Sequence, residues 1–342
     1  MTKETDLAKK IVTAAKRAGF AECGIVLVDE MHAYADAVQK RIELFPDSKP
    51  LYEQFASFAT PEKTIPWAKS VVICVSWYGK YRMPANLEGQ IGKLYCFDGR
   101  LDEDSEDFHS TLQFQTELDA LGLRWEAKRD FGITAMRWAA AKAGVGVVRK
   151  NNFFYSAQGS WCQLHAYVID QSAELKVEST LKKCPEGCDL CMRACPTGAL
   201  SEPFQMNGTK CISYLLCLST VTPGEKIYEK SGKWIYGCDS CQNACPLNKG
   251  AWTEEDDFPG LAELAEQISY EKILKMDEDT MRDLFQKKFW YIGPDVIWKW
   301  KCNVLNAIRN NFEEKYRPLV ESVLNDPREE VREMAKWVLQ SV

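Results

Sequence analysis

Leu7, Ile11, Val12, Ala15 and Ala18 fall on one face of a 3.6-residue repeat, with lysines opposite, so residues 5–19 predict an amphipathic helix ended by Gly19. Cys23-Gly24-Ile25-Val26-Leu27-Val28 follows as an apolar run of strand length. Residues 71–78, bounded by Gly79, and residues 163–169 predict two further strands. Helical spacing returns over 106–121 and 134–143. Helices alternating with strands over the first half predict an α/β (α+β) domain with helices packed on a sheet.

Residues 256–342 change character and read as helical throughout. Leu319, Val320, Val323 and Leu324 form one apolar face, Asn325-Asp326-Pro327 a turn, and Val331, Met334, Ala335 and Val338 the next face. This helix–turn–helix resembles a HEAT-type repeat. The segment holds too few repeats to stand alone and is expected to pack on the rest of the chain.

Between these regions lie two cysteine runs, Cys184-x3-Cys188-x2-Cys191-x3-Cys195-Pro196 and Cys238-x2-Cys241-x3-Cys245-Pro246, with Cys211 between them. In two-cluster ferredoxins the cysteines of such a run hold one iron–sulfur cube, and the cysteine before proline reaches across to the other. That rule assigns Cys184, Cys188, Cys191 and Cys245 to one [4Fe-4S] cluster. Cys211, Cys238, Cys241 and Cys195 take the second. Gly187 lies in the lengthened gap of the first run and eases its turn. Paired zinc sites are the competing reading, but zinc modules need neither the prolines nor the shared x3 gap. The chain thus divides into 1–178 (α/β), 179–255 (a ferredoxin-like module held more by its metals than by a core) and 256–342 (helical).

The chain has 342 residues, 46% of them apolar and 27% charged, with a formal net charge of −6. No apolar run approaches membrane-spanning length, and Met1-Thr2-Lys3-Glu4-Thr5-Asp6 lacks a signal segment, so a cytoplasmic protein with no membrane partner is expected. The six remaining cysteines, Cys23, Cys74, Cys96, Cys162, Cys217 and Cys302, are expected to be buried free thiols. The acidic balance argues against a global nucleic-acid surface. A local one is the run Lys287-Lys288-Phe289-Trp290-Tyr291 to Trp298-Lys299-Trp300-Lys301, then Arg309, Lys315 and Arg317. Basic residues among aromatics can grip a phosphate backbone, and helix-packing tryptophans flanked by solvated lysines give the same pattern.

Gly144-x-Gly146 lacks the third glycine of a dinucleotide fingerprint and reads as a helix stop and turn. Asp130, before a helix, reads alone as a cap or turn residue. His32, His109 and His165 are too dispersed for a metal site, and His165, in an apolar strand, reads as a satisfied core residue.

Together these residues resemble the epoxyqueuosine reductase family of iron–sulfur and cobalamin enzymes of tRNA modification, which is related to reductive dehalogenases. The resemblance rests on Asp107-Phe108-His109, the frame from Asp130 to Asn151, Gly159-Ser160, Cys211-Ile212-Ser213-Tyr214-Leu215 and Ile235-Tyr236-Gly237-Cys238-Asp239-Ser240-Cys241-Gln242. Departures include His165-Ala166-Tyr167 in place of Gly-Glu-Leu, and Cys217-Leu218-Ser219-Thr220 where polar residues are expected.

The resemblance implies that cobalamin lies between the α/β domain and the cluster module, touched by Asn151, Ser213, Gly237 and Asp239. It implies that the cluster of Cys211, Cys238, Cys241 and Cys195 delivers electrons singly, that Asp130 is the general acid, and that tRNA and an external low-potential donor are partners. Protonation of Asp130 near neutral pH calls for an apolar, buried setting. Rival readings are a cobalamin-dependent reductase of a small molecule and a non-catalytic ferredoxin-type carrier. The second leaves the long α/β segment ahead of the clusters unexplained.

Overall fold

A computed structural model describes residues 3–219 and 223–342. Met1, Thr2 and the stretch 220–222 lie outside the described residues, and with them the start of the N-terminal segment and the Thr220 end of the Cys217 stretch. Six strands form: β1 (Glu22–Leu27), β2 (Ser70–Trp77), β3 (Trp125–Ala127), β4 (Val147–Val148), β5 (Phe154–Tyr155) and β6 (Cys162–Ile169). Four make an antiparallel sheet in the order β1-β2-β6-β3, and β4 pairs with β5 in a small hairpin.

Side chains alternate faces along a strand, and here both faces are covered, which explains the nearly unbroken apolar runs. Val71, Ile73 and Val75 of β2 face one cluster with Ala139, Ala140 and Ala143 of the helix Met136–Ala143. Val72 and Cys74 face the other, with Ala8, Ile11 and Ala15 of the helix Lys3–Arg17 and Phe114 and Leu118 of the helix Glu106–Ala120. The three alanines on the first face are fully buried against the sheet, so larger residues there would overpack it. The helix Met136–Ala143 ends at Gly144 in a left-handed conformation (φ 78°), as the sequence suggests.

A third core joins the exit of β2 to the C-terminal helices. It unites Tyr78, Tyr81, Leu87, Ile91 and Phe97 with residues from Ile212 to Val338. Its axis is the helix Lys299–Asn310, buried from Lys299 through Ile308 and flanked by the helices Glu329–Ser341, Tyr270–Lys275 and Glu225–Lys230. Polar groups on this helix fix the chain between the two cysteine runs. Asn303 donates to the carbonyls of Leu216 (3.1 Å) and Ile235 (2.9 Å), and Lys299 to that of Leu215 (3.0 Å). Val320, Val323, Val331, Met334, Ala335 and Val338 are buried, as their spacing predicts. None of the described helices is long and apolar enough to cross a membrane.

Candidate redox centre and acid loop

All fourteen cysteines are free, and five of the six outside the eight-cysteine pattern are buried; Cys162 is partly exposed. Cys23 and Cys74 face each other across β1 and β2 with sulfurs 3.7 Å apart. The other eight sort into two sets. Cys184, Cys188, Cys191 and Cys245 line one pocket, and burial followed by repulsion from Cys245, Cys184 and Cys188 raises the Cys191 thiol. Cys241 is raised by burial and then by Cys211, Cys238 and Cys195. Each quartet takes its fourth member from the other run. Gly187 adopts the left-handed φ of 67° in the lengthened turn. The second quartet lies deeper, with burial pushing Cys238 up to about 12 and raising Cys211.

Among the described residues no three His, Cys, Asp or Glu side chains converge closely enough to hold one ion.

Short helices set each quartet, Leu190–Arg193 in the first run and Ser240–Asn243 in the second. A buried polar knot holds the second helix against the sheet. Asn248 accepts from the Ser160 amide (2.9 Å), and Asn248 and Gln242 both donate to the Ser160 hydroxyl (2.7 and 2.8 Å). The Gly159-Ser160 pair therefore joins β6 to the cysteine-rich module.

Asn151, Ser213, Gly237 and Asp239 surround the deeper quartet. Asn151 donates to the Tyr155 hydroxyl (2.8 Å) and the Cys241 carbonyl (3.4 Å). Ser213 and Tyr95 share a 2.5 Å hydrogen bond. Gly237 has φ 77°, and a Cβ there would lie 2.2 Å from the Tyr95 ring, so only glycine lets that ring close on the site. Asp239 accepts from the Lys93 amide at 2.8 Å, and burial lifts its carboxyl to about 6.

Asp130 departs from the sequence expectation of a buried, apolar setting. It is exposed, beside Phe131 at 46% exposure, because it sits in the bend between β3 and the helix Met136–Ala143, outside the core. Its main-chain carbonyl is held by Arg100. Arg100 also grips Asp98 through Nε (3.0 Å) and Nη2 (2.8 Å) and donates to the Tyr291 hydroxyl. Burial works to raise the Asp98 carboxyl, but the Arg100 guanidinium outweighs it and holds Asp98 below the usual range. Tyr291 packs edge-on against Tyr95 at 4.9 Å, and Tyr95 bonds Ser213. A continuous chain of side-chain contacts, part-buried at Tyr291 and Ser213, thus runs from the Asp130 backbone towards the deeper quartet. Sequence reasoning missed Asp98 and Arg100, because nothing in their local spacing marks them, and it placed Tyr291 only in the basic–aromatic run.

The basic–aromatic run also needs correcting. Lys288, Lys299 and Lys301 are buried, and Trp300 is fully so, which removes them from any nucleic-acid surface and equally from solvent. Lys288 donates to the Asp98 carbonyl (3.1 Å), and Lys301 pairs with Asp326 (2.6 Å). Burial pushes Lys299 down to about 8. A smaller basic–aromatic surface lies at the acid loop. Lys128 is exposed, Arg129 lies 4.0 Å above the Phe108 ring, and Phe131 packs edge-on against Trp290 at 5.4 Å. His165 is satisfied as expected, 3.0 Å from Asp107 and 3.1 Å from the Ser76 hydroxyl.

Comparison with known proteins bears on this arrangement. The family description "4Fe-4S double cluster binding domain" matches residues 183–248. The chain is 31% identical over 301 residues to the epoxyqueuosine reductase of Staphylococcus aureus, covering 82% of this chain and 74% of that one. It is 27% identical over 352 residues to that of Bacillus subtilis, covering 98% and 88%. Among solved structures it superposes on an epoxyqueuosine reductase with an epoxyqueuosine-modified tRNA-Tyr stem loop, with a TM-score of 0.78 and 23% identity, covering 98% of this chain and 90% of that chain. A Bacillus subtilis structure whose catalytic aspartate loop is swung out of the active site gives a TM-score of 0.76 at 24% identity, with the same coverage. At these identities the two structures establish a shared mixed α/β fold.

Proposed function

Because this chain belongs to the epoxyqueuosine reductase family, we propose that it reduces the epoxide of epoxyqueuosine in tRNA to the alkene of queuosine. The observation that carries this reading is the crossed sorting of eight thiols into two quartets, the deeper one joined through a chain of side-chain contacts to the loop bearing Asp130.

Each quartet would hold a [4Fe-4S] cluster, Cys184, Cys188, Cys191 and Cys245 the outer and Cys195, Cys211, Cys238 and Cys241 the inner. Two cysteine runs that each end in Cys-Pro and exchange their fourth ligand suit a pair of cubes better than zinc. Asn151, Ser213, Gly237 and Asp239 would hold the corrinoid. Their support is chemical fit: three polar side chains and one bare backbone position gathered at the inner quartet. A bound corrinoid supplies a strongly reducing, nucleophilic metal centre, fed with single electrons by the clusters.

Turning an epoxide into an alkene consumes two electrons and two protons and releases the oxygen as water. Asp130 would give a proton to the departing oxygen. Its carbonyl is held by Arg100 and its side chain is exposed, which supports that role. Substrate lying over the loop would shield that carboxyl from water. Lys128 and Arg129 would meet backbone phosphate, and Phe131 and Trp290 offer ring faces for stacking bases. Residues 1–178, 179–255 and 256–342 would serve as the corrinoid-binding α/β domain, the ferredoxin-like module and HEAT-like helices, in a cytoplasmic protein.

The test is anaerobic reconstitution with iron, sulfide and cobalamin, followed by incubation with epoxyqueuosine-containing tRNA and a low-potential reductant. Queuosine appearing only when both cofactors are present is expected. Loaded protein that leaves the epoxide intact would refute the reading.

A further inference from the structure

The outer quartet lines a small pocket, and the surroundings of that pocket differ from the rest of this acidic chain. Its pocket is walled by Pro185, Leu190, Pro246 and Leu247, and Leu190 is 41% exposed. Around this apolar mouth stand Lys182 and Lys183, adjacent to Cys184, and Lys249, three residues beyond Pro246. All three are exposed, and none is in an ion pair among the described residues. Lys150 and Arg149 reinforce the sign from beneath: Lys150 donates to the Cys188 carbonyl at 2.7 Å, and Arg149 to the Lys182 carbonyl. Asp189 beside the pocket is paired with Arg193 at 2.9 Å, and Glu186 is exposed. Exposed, unpaired lysines thus flank a small apolar centre on a chain of net charge −6.

Resting on the cluster assignment above, we infer that this face is the electron-entry port and that it docks a small acidic one-electron carrier protein of the flavodoxin or ferredoxin type. Charge complementarity selects the partner. An acidic carrier is repelled by the chain as a whole and attracted to this rim, which orients the encounter towards the outer quartet before contact. The apolar mouth then brings the carrier's redox group against the outer cluster over a small, short-lived interface. Each encounter moves one electron: the carrier is oxidised by one, the outer cluster is reduced by one, and no bond or proton moves. Two encounters supply the two electrons of one epoxide reduction. The inner quartet is ringed by the candidate corrinoid residues, and a bound corrinoid would cover it.

The experiment uses full-length reconstituted protein and reduced flavodoxin as the probe, comparing wild type with Lys182→Glu/Lys183→Glu and with a control pair, Lys226→Glu/Lys230→Glu, on the helix Glu225–Lys230. Flavodoxin affinity by calorimetry and cluster bleaching by stopped flow should both weaken at least about 10-fold at low ionic strength in the first variant only. Reduction by titanium(III) citrate should stay unchanged, and added salt should slow wild type towards the variant. Equal loss in the control pair, or no loss in either, would overturn the port. So would unchanged flavodoxin reduction accompanied by weakened tRNA binding, which would give the face to nucleic acid. Protein that assembles no iron–sulfur clusters would instead remove the reading on which the port rests, and iron content measured beforehand separates the two failures.

Discussion

The guanidinium of Arg100 joins the buried carboxylate of Asp98 to the main-chain carbonyl of Asp130, so one side chain ties the acid loop to the protein interior. The pair is almost fully buried, with side-chain exposures of 8% and 0%. Arg100→Ala would leave Asp98 charged and unpaired, a loss of about 3–5 kcal/mol for a buried pair broken on one side. Urea unfolding should register that loss, and amide exchange over residues 129–134 should accelerate. Arg100→Lys should recover part of the stability but not the fork that reaches both partners. Wild-type exchange rates at the loop in Arg100→Ala would mean the tether does not hold it.

Asp130 contributes no burial and no side-chain contact to the core, so Asp130→Asn should leave unfolding curves and cluster spectra as in wild type. Turnover should fall by about 10²- to 10⁴-fold, the usual contribution of a positioned proton donor. Single-turnover assays on epoxyqueuosine-containing tRNA measure it, and a rate within a few-fold of wild type would remove Asp130 from the chemistry.

Asp107 offers a pH test. Burial acts to raise its carboxyl, but the imidazole of His165, with the Ser76 hydroxyl, outweighs burial and lowers it. A carboxyl whose folded pKa is depressed stabilises the fold above its unfolded value of about 3.9, and that stabilisation disappears as pH falls through the folded pKa. Asp107→Asn should therefore cost about 1–3 kcal/mol at pH 7, as expected for lost hydrogen bonds to a buried charged group. The deficit should shrink steadily below about pH 4. A deficit of the same size at pH 3 would contradict the assignment.

These residues also mark how far the sequence could be read. β2 and β6 were legible because both faces of the sheet are buried, so their apolar runs are continuous. The cysteine quartets were legible because ligand spacing within a run is local chemistry. The path from Asp130 through Arg100 and Tyr291 was not, since Arg100 and Tyr291 are 191 positions apart, and the run that holds Tyr291 suggests a surface and not a partner for Arg100. Lys299 and Lys301 misled for a related reason. Lysines beside tryptophans suggest a wet face, but carbonyls of distant segments and Asp326 receive them inside the helical core. Asp130 was found by its motif, whereas its exposure depends on where the loop leaves the sheet.

The crossed ligation of two cubes is tested most directly by iron and acid-labile sulfide counts, with EPR of the reduced protein, on anaerobically reconstituted wild type, Cys245→Ser and Cys195→Ser. Wild type should hold about eight irons, four in each cube. Cys245→Ser should disturb the outer cluster, although residue 245 belongs to the second run. Cys195→Ser should disturb the inner cluster, although residue 195 belongs to the first. In each variant the other cluster's signal should survive. Zinc in place of iron, or each substitution silencing the cluster of its own run, would contradict the account.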